Sequence, residues 1–202
     1  MKAAVLHHFG DIPRYEDFPD PTPLEEEILA RVKAVALENF DRALAKGTHY
    51  ARRQLLPTLP AIVGTDGIAL RDDGQLIGFG GLRPPYGSMA EKAVFPKTHC
   101  VPIPEGVDAA TAATVPASTL TALFALRCGA KLQPDEAVLI HGATGFAGKL
   151  AIQVARLLGA QRVIGTGRSQ ASLEKLRELG ADAVIGLKQS DEALVEAFKQ
   201  EA

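Results

Sequence analysis

The sequence predicts two domains of different class, a β-rich one over residues 1–115 and an α/β one over residues 116–202. Three observations carry this. In the first hundred residues short apolar runs recur between proline- and glycine-containing breaks, the rhythm of a small barrel or sandwich. From residue 137 onward apolar runs alternate with amphipathic helical patterns in the order βαβαβ, which demands a parallel sheet with right-handed crossovers. At the first strand-to-helix junction stands Gly142-Ala143-Thr144-Gly145-Phe146-Ala147-Gly148. Glycines there let backbone approach a ligand closely, and the new helix offers free N–H groups to an anion.

The β-rich part begins with an apolar run over residues 2–7. Residues 28–37 alternate, with Arg31 and Lys33 on one face and Ile28, Ala30, Val32 and Ala34 on the other. Both are strand patterns. Pro19-Asp20-Pro21-Thr22-Pro23 between them forbids regular pairing, because proline has no N–H to donate and its φ is fixed. Further strands are expected at 67–70, 75–79, 88–95 and 99–103, separated by Asp72-Asp73-Gly74, Pro84-Pro85 and Pro96. A short helix interrupts at 39–46, with Asn39 as its cap and Gly47 as its stop.

The second part opens with a helix at Val115-Pro116, proline suiting a first turn, and Gly129 ends it. Ala137-Val138-Leu139-Ile140 reads as a parallel strand covered on both faces. In the helix after the glycines, Leu150, Val154 and Leu157 form one apolar line, while Ala147, Ala151 and Ala155 give a small-residue face for close approach to a sheet. A second strand follows at 162–166, then a helix at 169–179 capped by Ser169 and stopped by Gly180, and a third strand at 183–185. An amphipathic helix over 191–202 carries Leu194, Val195 and Phe198. This is half of a doubly wound nucleotide-binding fold.

Against the dinucleotide pattern G-x-G-x-x-G, Gly145 and Gly148 match, Ala143 stands in the first position, and Gly142 lies one place early. A site for NAD wants a carboxylate at the end of the second strand to take the ribose hydroxyls, but the chain has Gly167-Arg168-Ser169 there and no acid until Glu174. The guanidinium of Arg168 instead matches a 2′-phosphate. The expected cofactor is therefore NADP(H). Tyr50, in a loop with Arg52 and Arg53, is a candidate to face substrate, set against the plainer role of a partly buried loop tyrosine. His99-Cys100 is metal-like, but strand neighbours point to opposite faces and no second pair lies at ligand spacing, so no metal is expected.

Composition narrows the function classes. A net charge of -2 with mixed signs gives no electrostatic reason for a nucleic-acid or membrane partner. Cys100 and Cys128 make no disulfide framework, which fits a reducing, cytoplasmic setting. The N-terminus turns polar at His7 and His8, too soon for a signal peptide, and no apolar run reads as long enough to span a bilayer.

Taken together, Met1-Lys2-Ala3-Ala4-Val5 with Phe9-Gly10, Pro21-Thr22-Pro23, Val63-Gly64-Thr65-Asp66-Gly67, Gly87-Ser88-Met89-Ala90-Glu91 and the stretch from His141 to Leu158-Gly159-Ala160 resemble the medium-chain dehydrogenase/reductases, nearest to their zinc-independent, quinone oxidoreductase-like branch. The resemblance implies a GroES-like β domain followed by a Rossmann domain, NADPH in the cleft between them, and hydride transfer to a quinone or an α,β-unsaturated carbonyl. By the same resemblance Ala143, Thr144, Gly145, Phe146, Ala147 and Gly148 form the pyrophosphate loop, Arg168 and Ser169 take the 2′-phosphate, Thr121 lies near the cofactor, and Tyr50 lines the substrate cleft. The catalytic cysteine of the zinc-dependent branch is absent from Val35-Ala36-Leu37-Glu38-Asn39, and Gly64-Thr65-Asp66 replaces its Gly-His-Glu. Glu38 stands where the zinc-independent branch carries asparagine.

The family continues through three more Rossmann strands, so this chain is expected to be truncated after three, with Val138 to Ile140 as an open edge. A second copy of the chain, a missing polypeptide or a local rearrangement would cover that edge, and the first of these would make a homo-oligomer. Two functions follow: an NADPH-dependent reductase, or a non-catalytic nucleotide-binding module that keeps only the adenosine half-site.

Overall fold

The structure is a computed structural model that describes residues 1–201. Two compact units divide it, Met1–Thr114 and one that begins at Val115.

In the first unit eleven short stretches of the sequence become eight strands and three helices. The strands are β1 (Lys2–Leu6), β2 (Arg14–Asp17), β3 (Glu27–Ala34), β4 (Ala61–Ile62), β5 (Asp66–Leu70), β6 (Leu76–Gly80), β7 (Lys92–Pro96) and β8 (Cys100–Pro102). The helices are α1 (Asn39–Ala45), α2 (Arg52–Leu55) and α3 (Ala109–Thr114). One sheet runs β2-β1-β4 and the other β7-β3-β5-β6-β8, all neighbours antiparallel. Alternation in β3 sends Ala30 into a core with Phe79 and Phe95, whose rings stack with centroids 4.4 Å apart. Val5 and Leu6 of β1 pair with β4 and are fully buried with Ile62.

Four readings of this unit need correction. β2 escapes the sequence pattern because Arg14-Tyr15-Glu16-Asp17 has no apolar face. It is an exposed edge strand held by its ladder to β1. Helix α1 is capped by Glu38 rather than Asn39: Glu38 keeps extended backbone, and the Asp41 carboxylate accepts its N–H at 3.0 Å in a capping box. The third correction concerns the expectation that no apolar run could span a bilayer. Residues Ala109–Gly129 form a helical run of 21 residues, mean hydropathy 1.4, long and apolar enough by composition to do so. In the sequence Pro116 reads as a helix start, which hides the six residues of α3 before it. The fourth is Tyr50, which is 92% exposed rather than partly buried.

The second unit contains α4 (Pro116–Phe124), which ends in a π-type turn over Ala125–Gly129, then β9 (Ala137–Ile140), α5 (Phe146–Leu157), β10 (Arg162–Gly167), α6 (Gln170–Glu178), β11 (Ala183–Gly186) and α7 (Asp191–Glu201). Ala202, which the sequence places in the last helix, lies outside the described residues. The sheet is parallel in the order β11-β10-β9. On one face Ile140 and Val163 pack with Ala122 and Leu126 of the first helix, Ile152 and Ala155 of α5, and Leu173 and Leu176 of α6. On the other face Leu194, Ala197 and Phe198 of α7 cover Ile164, Ala183 and Ile185.

β9 is an edge strand among the described residues, and it is not covered on both faces as its apolar run suggests. α7 packs on β10 and β11, and Leu139 is 44% exposed. Two further apolar assignments fail for the same geometric reason, that one helix face meets the sheet. Leu157 is 84% exposed and Val195 53% exposed, while Ile152, absent from the expected line, is fully buried.

Arg156 closes this unit. From the last turn of α5 its Nε donates to the Gly180 carbonyl at 2.8 Å and its Nη1 to those of Ala160 and Gln161, each at 3.0 Å, while Nη2 pairs with the Asp182 carboxylate. One planar fork thereby satisfies the turns that precede β10 and β11.

Candidate functional site

The glycine-rich loop is held by the end of β10. Gly142 turns the chain at φ 72°, and its N–H donates to Thr166 Oγ1 at 3.1 Å; the next N–H, of Ala143, donates to the Thr166 carbonyl at 2.8 Å. Thr166 is fully buried. The Thr144 side chain then lies against β10, where a Cβ on Gly167 would stand 2.4 Å from Thr144 Cγ2. Gly145 caps α5 in extended backbone, and Lys149 is the first residue to donate back to it, at 3.0 Å. The N–H groups of Phe146, Ala147 and Gly148 therefore have no helical carbonyl to pair with, and the helix dipole favours an anion beside them.

This assigns separate tasks to residues that the sequence groups together. A Cβ on Gly148 would stand 2.6 Å from both Ala143 Cα and the Gly142 oxygen, so Gly148 is needed for helix-to-loop packing. At Gly145 a Cβ would meet only the Gly142 oxygen at 3.5 Å, and it is this glycine that leaves room in front of the helix. Ala143 is not a ligand-facing residue: its methyl group is fully buried in the core and its N–H is spent on Thr166. The glycine that the turn requires is Gly142, one place earlier.

Arg168 and Ser169 follow directly at the end of β10, both exposed. Arg168 makes no ion pair among the described residues. Ser169 occupies the N-cap of α6, its hydroxyl in contact with that of Ser172 at 3.2 Å. Glu174, the first acid downstream, sits on α6 between Gln170 at 2.7 Å and Arg177 at 3.7 Å. The sequence reading missed Lys188. The Leu187 N–H donates to the Gly167 carbonyl at 2.8 Å, so the segments leaving β10 and β11 run side by side, and Lys188 is exposed on the second of them. The parallel register supplies that proximity, which spacing along the chain conceals. Thr121, on α4, is exposed, and its hydroxyl donates to the Ala117 carbonyl at 2.9 Å.

In the first unit the Tyr50 ring lies against that of His49, centroids 4.3 Å apart, and His49 in turn meets the Phe40 ring edge-on at 4.6 Å. The expected cation beside Tyr50 is engaged elsewhere, the Arg52 guanidinium lying 4.7 Å from the Phe9 ring centre. Burial, with the nearby Asp41 and Glu38 carboxylates, pushes Asp66 up to about 6. A neighbouring cavity of about 50 Å³, bordered by Asp41, Gly64 and Thr65, has room for water but not for a dinucleotide. His99 is exposed and Cys100 packs inward, its thiol 3.4 Å from the Pro96 carbonyl. Among the described residues no group of three or more His, Cys, Asp or Glu side chains could hold a metal ion.

A family model described as zinc-binding dehydrogenase matches residues 147–202. The quinone oxidoreductase of Rattus norvegicus is 28% identical over 202 aligned positions, covering 95% of this chain and 60% of that protein. The quinone oxidoreductase of Thermus thermophilus, solved alone and with NADPH, superposes with a TM-score of 0.86 at 32% identity, over 98% of this chain and 64% of that one. In sequence and fold the chain is similar to the quinone oxidoreductase-like medium-chain dehydrogenase/reductases. Its two units are accordingly the GroES-like and Rossmann folds of that family. A trans-enoyl reductase of Aspergillus terreus is also similar, 34% identical over 63% of this chain and 36% of its own length. The chain thus spans less than two thirds of each of these relatives.

Proposed function

We propose that this chain, similar to the quinone oxidoreductase-like branch, is part of an NADPH-dependent, zinc-independent reductase that delivers hydride to a quinone, enone or similar activated double bond. The observation that carries the proposal is the cradle of residues 142–148 together with the end of β10. Free N–H groups at Phe146, Ala147 and Gly148 suit a pyrophosphate, and the next strand ends in exposed Arg168 and Ser169 with no carboxylate beside them. NADPH bound to the Thermus thermophilus relative supports the same choice. Lys188 adds a second cation for the 2′-phosphate.

The nicotinamide of a bound NADPH supplies the hydride; the chain's own task is to bind, orient and exclude water. Thr144 and Gly145 bound the pyrophosphate site and Thr121 stands with the cofactor. Tyr50 faces substrate and, with water, is the candidate proton source. Zinc independence rests on the donor set: Thr65 and Asp66 with Glu38 and Asn39 offer hard oxygen atoms and no thiolate or imidazole of the kind zinc prefers. Similarity to the quinone oxidoreductases supports a quinone as acceptor, and similarity to the trans-enoyl reductase supports an enone. The two unpaired cysteines fit a cytoplasmic setting.

The test is to titrate the chain with NADPH and then to follow NADPH oxidation with a simple quinone and with an enone. Binding with turnover supports the reductase. Binding without turnover supports the module reading, and absence of binding overturns the cofactor site itself.

A further inference from the structure

Thr166 is the polar side chain most deeply buried beside the cradle, and its hydrogen bonds fix more than the loop. Its Oγ1 accepts the Gly142 N–H at 3.1 Å and lies 3.1 Å from His141 Nδ1. A hydroxyl has one proton to give. With Oγ1 already accepting from Gly142, and with the side chain fully buried, the only acceptor for that proton among the described residues is His141 Nδ1. The imidazole is then held with Nδ1 as acceptor and its own proton on Nε2. The ring stands exposed at the carboxyl end of β9, one residue before the turn at Gly142, where open parallel sheets receive their ligands.

We propose that His141 is a cofactor-binding residue whose Nε2–H donates to a phosphate oxygen seated at the cradle, and that Thr166 is the positioning residue that sets its tautomer. The inference rests on the NADP(H) reading of the loop and assigns it a donor that the glycine pattern does not contain. One buried hydroxyl thereby links three things, namely the turn at Gly142, the strand that ends in Arg168, and the ring that meets the anion. A neutral donor is suited to this position, since a proton on Nδ1 would leave the Thr166 hydroxyl buried without an acceptor.

The tautomer can be read directly. In protein labelled with ¹⁵N at histidine, two-bond ¹H–¹⁵N correlation should give His141 as the Nε2–H form, and saturating NADPH should shift its Nε2 resonance. Replacement His141→Ala, at an exposed position, should raise the dissociation constants of NADPH and NADH alike by about tenfold, the loss expected for one hydrogen bond to a charged group. Thr166→Val should weaken both by a similar factor and lose the Nε2–H signature of His141, and Thr166→Ser, which keeps the hydroxyl, should restore both; a threonine that only holds the Gly142 turn would leave the His141 signature unchanged in Thr166→Val. An Nδ1–H tautomer, or a His141 resonance and a His141→Ala affinity unchanged while the wild type binds NADPH, overturns this inference alone. A wild type that fails to bind NADPH overturns the cofactor site and this inference with it.

Discussion

Gly167 lies directly under the Thr144 side chain: a Cβ built on Gly167 would stand 2.4 Å from Thr144 Cγ2 and 3.1 Å from its Oγ1. The end of β10 and the glycine loop therefore meet through that side chain. Gly167→Ala makes the Thr144 side chain turn or the loop shift, and overpacking of this kind costs about 1–3 kcal/mol. Urea denaturation should show that loss, and NADPH affinity should fall with it. A variant that unfolds and binds as the wild type does would mean that the loop adapts freely.

Arg156 joins the turns before β10 and β11 through three carbonyls and the Asp182 carboxylate. Arg156→Met keeps the aliphatic stem but leaves those acceptors short of a donor. The expected cost is about 2–3 kcal/mol, by analogy with other partly buried hydrogen bonds to charged groups. Denaturant midpoints measured at moderate salt check it, because a loss that vanishes as salt rises would reduce Arg156 to a surface charge.

Asp66 predicts a pH effect. Its carboxyl titrates at about 6 in the folded chain against 3.8 without the fold, chiefly because it is buried and secondarily because Asp41 and Glu38 repel its charge. Between these values the folded state keeps a proton that the unfolded state releases, so the stability present below the lower value is lost as pH rises through the upper one. Asp66→Asn removes that penalty. It should stabilise the chain near pH 7 by about 1–2 kcal/mol, reduced from the full shift because the group is partly exposed, and the advantage should close near pH 4. Equal stability of the two proteins near pH 7 would contradict the assignment.

How far the sequence carries can be read from neighbouring residues. The junction from Ile140 through Gly148 is legible because a strand, a glycine turn and a helix follow each other directly, each with its own local signal. β2 is not legible, since Arg14-Tyr15-Glu16-Asp17 is a strand only by virtue of its partner β1. Glu38 as cap, in place of Asn39, reflects a reciprocal bond with Asp41 that a preference for asparagine cannot foresee.

The site divides in the same way. Arg168 and Ser169 are found from the chain because they end a readable strand. Thr166 looks like any threonine in a β run until its hydroxyl is seen to hold Gly142, and Lys188 is brought beside Arg168 only by the pairing of Gly167 with Gly186. Ala143 shows the opposite error: it fits a ligand pattern by position, but its methyl group belongs to the core.

The central claim is that the cradle and the end of β10 together select a cofactor carrying a 2′-phosphate. Its most direct test is calorimetric titration of the wild type and Arg168→Ala with NADPH and with NADH. The account predicts that the wild type binds NADPH at least about tenfold more tightly, as befits a charge-assisted fork on phosphate, and that Arg168→Ala binds the two equally by losing affinity for NADPH alone. Equal affinities in the wild type would contradict it.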